Sequence, residues 1–161
     1  MNIYHGSTTI VETPVILYSQ RFLDFGKGFY TTTVKEQAER WALIKQKRIE
    51  GNSKPIVSVF QIGEEIFQSK KYNVKIFPAA NEEWLDFVVK NRKGEHNHPY
   101  SLVKGAVAND TLYATLSLFE SGILSKKETI KRLKVHKLFD QISFHNSGIL
   151  KELIFVDSYV I

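Results

Sequence analysis

Seven short runs rich in β-branched and aromatic residues are separated by helical stretches of unequal length, and this irregular alternation limits the fold more than any other feature. A doubly wound parallel sheet would need a regular strand and helix repeat, so the expectation is an α+β fold with short strands, formed by residues 1–161 as a single domain. The strands are expected at Ile3 to His5, Phe29 to Thr32, Ile56 to Ile62, Tyr72 to Phe77, Ser101 to Val107, Gln141 to Phe144 and Leu153 to Val160, with Ile56 to Ile62 dense enough for a central position. A long connection broken by Pro14 separates the first two. Thr33-Val34-Lys35-Glu36 has capping-box spacing and predicts a helix with Ala38, Trp41, Ala42 and Ile49 on one face and Gly51 as its stop. Asn81 caps a helix striped with Trp84, Leu85, Val88 and Val89. Asn109 opens another, carrying Leu112, Leu116 and Phe119 and ended by Gly122, and Ser125 to Glu128 repeats the capping box before Ile130 and Leu133. A turn is expected at Asn146-Ser147-Gly148.

Composition excludes several classes of chemistry. The chain lacks cysteine, which removes disulfides, thiolate metal sites and cysteine nucleophiles. No basic region followed by an apolar segment opens the sequence, and no run approaches the ~20 apolar residues of a membrane span, so a cytoplasmic protein without a membrane partner is expected. The net charge of +5 favours polyanions or phosphate-bearing ligands. Its sources, Lys45, Lys47 and Arg48 and then Lys126, Lys127, Lys131, Arg132, Lys134 and Lys137, are interleaved with acids and read first as solvated helix faces, with a nucleic-acid or acidic-partner surface as the alternative.

Two segments combine glycine with a hydrogen-bonding or stacking side chain: Tyr4-His5-Gly6-Ser7, and Asp24 through Thr32 with Gly26, Gly28 and Tyr30. His5 ends a strand, and either lines a cleft or caps a strand end. Gly26-Lys27-Gly28 precedes a strand instead of a helix, so it cannot set a pyrophosphate on a helix N-terminus, and a Rossmann site is rejected. Asp24 suits a turn, where its carboxylate caps backbone amides or binds a ribose hydroxyl. His96 and His98, with Glu95, form only a weak cation candidate, and no metal is expected.

Taken in order, Tyr4-His5-Gly6-Ser7, Gly28-Phe29-Tyr30-Thr31-Thr32 and Gln141-Ile142-Ser143-Phe144 resemble the three strand motifs of the ADP-ribosyltransferase superfamily, in its branch with histidine, tyrosine and a third polar residue. More narrowly, Asp24 to Thr32, Leu102 to Asp110, Ser125 to Leu133 and Gln141 to His145 look like an uncharacterised bacterial family of that superfamily. The resemblance implies a split β-sandwich with flanking helices and NAD as substrate, its bond between nicotinamide and ribose being broken. It implies catalytic roles for His5, Tyr30 and Gln141, and dinucleotide contacts from His5, Gly6, Ser7, Asp24, Gly28, Tyr30 and Thr31. His5 would bond the adenosine-side ribose, Gly6 would hold the nicotinamide amide through its backbone, and Tyr30 would stack on the nicotinamide ring.

The third position departs from the pattern, because active members often carry glutamate there and this chain carries Gln141. A carboxamide keeps a ribose hydrogen bond but cannot ionise, and loss of one such electrostatic group costs on the order of 10²-fold in rate. Glu152 is the nearest later carboxylate, though it reads more simply as a strand start. The resemblance thus implies a mono-ADP-ribosyltransferase with a protein or nucleic-acid acceptor, acting as the toxin of a toxin-antitoxin pair with an antitoxin partner. The alternative is a weak or inactive module that binds NAD or a partner.

Overall fold

In order along the chain, the computed structural model comprises β1 (Asn2–Ser7), β2 (Phe29–Thr31), α1 (Lys35–Arg48), β3 (Ile56–Gln61), β4 (Val74–Ile76), α2 (Glu82–Arg92), β5 (Leu102–Ala106), α3 (Asp110–Glu120), α4 (Lys126–Leu133), β6 (Asp140–Phe144), α5 (Ser147–Leu150) and β7 (Ile154–Val160), with a 3-10 turn at Glu64–Gln68. It describes residues 1–17, 23–95, 97–108, 110–134 and 138–161. The expected helix start at Asn109, together with His96 and Lys137, therefore lies outside the described residues.

The fold is α+β with two sheets. One is antiparallel with order β1-β3-β7, and the dense Ile56 run is its centre as expected. The other has order β2-β6-β5-β4, antiparallel except for the parallel β4–β5 pair. Strand alternation sends successive side chains of β2, β5 and β6 to opposite faces. Phe29, Leu102, Ile142 and Phe144 meet Ile3, Phe60 and Ile62 of the three-stranded sheet to form the sandwich core. On the other face Val103 joins Phe25, Trp84, Leu85, Val88, Leu116 and Leu133 under α2, α3 and α4. Each fully buried side chain of this kind contributes about 1.5–3 kcal/mol.

Helix α1 lies on the outer face of the three-stranded sheet, where Ala38 and Ala42 pack on Val57. The contact is close because β1 offers Gly6 there: a Cβ at that position would fall 2.0 Å from the Ala38 carbonyl oxygen. Gly6 thus answers a demand of core packing, whereas the sequence suggested room for a ligand.

Local signals placed the helix ends well where the partner was local. The side chains of Asn81 and Ser125 accept from the N–H groups of Trp84 and Glu128, and Asn146 does the same for Ile149, turning the expected turn into α5. Gly122 (φ 80°) closes α3 with Gly122 N–H on the Phe119 carbonyl and Ile123 N–H on that of Leu118. The capping box at Thr33 is not formed. Helix α1 starts at Lys35, and the Thr33 hydroxyl and N–H both donate to Asp140, 107 residues away. Its C-terminus also differs, since Ile49 lies outside the helix and is 49% exposed. Among the described residues no helix is long and apolar enough to cross a membrane.

Candidate functional site

Among the described residues the two sheets meet at one main-chain bridge. Tyr4 N–H donates to the Thr32 carbonyl at 2.9 Å, and Thr32 N–H donates to that of Tyr4 at 3.0 Å. Because main-chain polar groups alternate sides along a strand, Gly6 on β1 and Tyr30 on β2 turn theirs toward the same seam. Yet no main-chain bond joins Gly6 to Tyr30. Side chains take the two carbonyls instead: His5 Nδ1 lies 2.7 Å from the Tyr30 oxygen, and Lys45 Nζ donates to the Gly6 oxygen at 2.7 Å. The strands therefore part at the two glycine-bearing motifs, a notch in the main-chain ladder whose two carbonyls the His5 and Lys45 side chains occupy.

A carbonyl can only accept, so His5 Nδ1 carries the proton and Nε2 keeps its lone pair. The His5 pKa is lowered to about 3, first by burial and then by the Lys45 ammonium, with the bond to Tyr30 opposing both. The ring is neutral at physiological pH and stacks on Phe29 at 4.3 Å between centroids. Phe29 and Tyr30 point to opposite faces of the sheet, so His5 lies on the sandwich side and the Tyr30 side chain on the helix side.

On the helix side Tyr30 and Gln141 bind neighbouring residues of the Asp24 to Gly26 loop. The Tyr30 hydroxyl donates to the Gly26 carbonyl at 2.6 Å and accepts from Phe25 N–H at 3.0 Å. Burial raises its pKa well above the usual value, and the neighbouring Asp24 adds to this. Gln141, 3% exposed, donates through Nε2 to Asp24 Oδ2 at 3.0 Å and to the Ala106 carbonyl at 3.2 Å. Asp24 also accepts from Ala108 N–H at 3.1 Å. Its pKa is raised because burial outweighs those two hydrogen bonds.

The sequence reading gathered the side chains of His5, Tyr30 and Gln141 around one ligand. The structure joins their strands, but strand alternation separates the His5 ring from the other two side chains. Asp24 caps a backbone amide, as its turn position suggested, though the amide belongs to Ala108, 84 residues away. Thr31 is buried, its hydroxyl donating to the Ile142 carbonyl at 3.1 Å. Ser7 ends β1 beside Thr9, and Gly28 packs so closely on His145 that a Cβ would lie 2.9 Å from its Nδ1. Glu152 precedes β7 and is bound to Lys71 at 2.9 Å and the Tyr72 hydroxyl at 2.6 Å.

Two histidines escaped the sequence reading as parts of this site. His98 Nε2 donates to the Phe25 carbonyl and His145 Nδ1 to that of Lys27, both at 2.7 Å, with the rings 4.5 Å apart. Together with the Tyr30 hydroxyl on Gly26, they hold three successive carbonyls of the glycine loop. His145 accepts from the Ser143 hydroxyl at 2.8 Å through Nε2, and burial lowers its pKa to about 4. The alternate spacing of Gln141 and Ser143 along β6 and of His145 just past its end was the signal available. His98 Nδ1 accepts from Tyr100 N–H at 3.2 Å, so both of its nitrogens are engaged within the fold.

Residues 1–155 match the family described as Protein of unknown function (DUF3990), and the chain belongs to that family. No curated protein and no solved structure matches it.

Proposed function

We propose that this member of the DUF3990 family is a cytoplasmic NAD-dependent mono-ADP-ribosyltransferase, the toxin of a toxin-antitoxin pair, with the dinucleotide held where β1 and β2 part. The observation that carries the reading is the break in the main-chain ladder at Gly6 and Tyr30, directly beside the Tyr4–Thr32 bridge, where side chains take both carbonyls. Main-chain groups in such a notch suit a planar amide, which both donates and accepts. His5 Nε2, neutral and unprotonated, suits a ribose hydroxyl as donor. With both Nε2 protons of Gln141 engaged, its Oε1 is what remains to accept from the second ribose. The Asp24 carboxyl stands 3.0 Å from that amide nitrogen and fixes the orientation of the carboxamide.

A second reading, a non-catalytic module that binds NAD or a partner, draws on the same contacts. Tyr30 uses its hydroxyl to hold the glycine loop, and Gln141 is buried and cannot ionise. Incubation of the purified protein with labelled NAD and bacterial lysate separates the two. The transferase releases nicotinamide and labels an acceptor, and His5→Ala slows it on the order of 10²-fold. NAD binding without nicotinamide release would establish the second reading, and absence of both binding and release would end the assignment. For the toxin role, induced expression should arrest bacterial growth in the wild type and not in His5→Ala.

A further inference from the structure

Lys45 reaches the notch from the last turn of α1. Its reach depends on Gly6, because a Cβ there would also come 2.8 Å from the Ala42 amide nitrogen and lift the helix off the strand. The side chain as a whole is exposed, yet its ammonium is seated on the Gly6 carbonyl and desolvated enough to lower its pKa to about 8. All three residues read as a solvated helix face, Lys45, Lys47 and Arg48, are exposed, and Lys45 adds to this a bond from its ammonium to the main chain of β1. A cation that occupies a strand carbonyl beside His5 controls which donors can reach that carbonyl.

We propose that Lys45 is a two-position residue of the dinucleotide site: without ligand its ammonium holds the Gly6 carbonyl, and with ligand the nicotinamide amide takes that carbonyl while the ammonium moves to the pyrophosphate. The inference rests on the reading of the notch as an NAD site. The exchange conserves hydrogen bonds, since one N–H donor replaces another at the Gly6 oxygen. The displaced ammonium gains a charge-assisted contact to an anion, which is stronger than its bond to a neutral carbonyl. Lysine suits this role because its charge sits on a flexible four-carbon stem with three donors.

Nicotinamide and ADP-ribose, titrated separately by calorimetry, divide the two positions. Lys45→Met keeps the stem and removes the charge. It should bind ADP-ribose about 10-fold more weakly, through the lost charge-assisted contact. The same variant should bind nicotinamide about threefold or more tightly, because its competitor at Gly6 is gone. In the wild type, saturation with ADP-ribose should tighten nicotinamide binding about fivefold, the two ligands being linked through one side chain. This last measurement needs no variant and so stands even if Lys45→Met does not fold. Independent binding of the two ligands in the wild type overturns the inference, as does a shift of both affinities in the same direction in Lys45→Met. Should the wild type bind NAD while Lys45→Met matches it for both ligands, Lys45 alone loses its role. If the wild type binds neither NAD, ADP-ribose nor nicotinamide, the dinucleotide site itself is wrong and the role of Lys45 goes with it.

Discussion

Gln141 is held by an acid, and that one contact sets the effect of replacing it with glutamate. Nε2 donates to Asp24 Oδ2 at 3.0 Å inside the fold. Gln141→Glu would place two carboxyls at that distance, and like charges so close cannot both ionise, so one stays protonated to high pH. Its folded pKa is then raised above the unfolded value, and stability falls as pH rises between the two. A rise of about two units costs about 3 kcal/mol at pH 7.5. Urea unfolding of the variant should therefore lie within about 1 kcal/mol of the wild type near pH 5 and fall about 3 kcal/mol below it near pH 8. Equal stability at both values would mean that Asp24 already stands protonated beside the amide. The same geometry predicts that the substitution does not accelerate nicotinamide release.

At the scale of elements, the glycine loop between Asp24 and Gly28 is held by side chains instead of by a regular ladder. The carbonyls of Phe25, Gly26 and Lys27 each accept one bond, from His98, Tyr30 and His145 in turn. Tyr30→Phe removes the middle donor and the acceptor for Phe25 N–H together, while the ring still packs against the core under α2 to α4. Two part-buried hydrogen bonds at about 1 kcal/mol each predict a loss of about 2 kcal/mol, read from the urea midpoint with the slope unchanged. Faster amide exchange at Phe25 and Gly26 would locate the loss in the loop, and unaltered exchange there would contradict the clamp. Which elements could be read from the sequence follows from the range of their contacts. Asn81, Ser125 and Gly122 act on groups within five residues, so their spacing alone marked the helix ends. Thr33 had the same signature and failed, because Asp140 competes for its hydroxyl and N–H from the far end of the chain.

Across the whole molecule, residue identity marked the seam strands, but the facing of their side chains depends on pairing register, which no local spacing carries. Phe29 and Tyr30 exchange roles if β2 slips by one residue against β6, and the register Phe29 to Phe144 and Tyr30 to Ser143 puts His5 on one face and Gln141 on the other. The same assembly buries two neutral histidines, and this makes the fold acid-sensitive. His5 and His145 titrate at about 3 and about 4 when folded, mainly through burial, against 6.5 for an unperturbed ring. Between pH 6.5 and 4 the unfolded chain binds more protons than the folded one, so stability falls as pH falls through that window. Each histidine contributes about 1.4 kcal/mol per pH unit until its folded pKa is reached. Asp24 works in the opposite sense, since its raised pKa lets the folded state take a proton first, and it softens the decline. Lowered by Tyr72 and then Lys71, the Glu152 pKa steepens the decline below the usual carboxylate range. Urea midpoints measured from pH 7 to pH 4.5 should therefore drop steadily. In His145→Gln, which keeps a donor for the Lys27 carbonyl but cannot titrate, the proton uptake on unfolding near pH 5 should be smaller by about one. An unchanged uptake would show that His145 is as accessible to protons in the native sandwich as in the open chain.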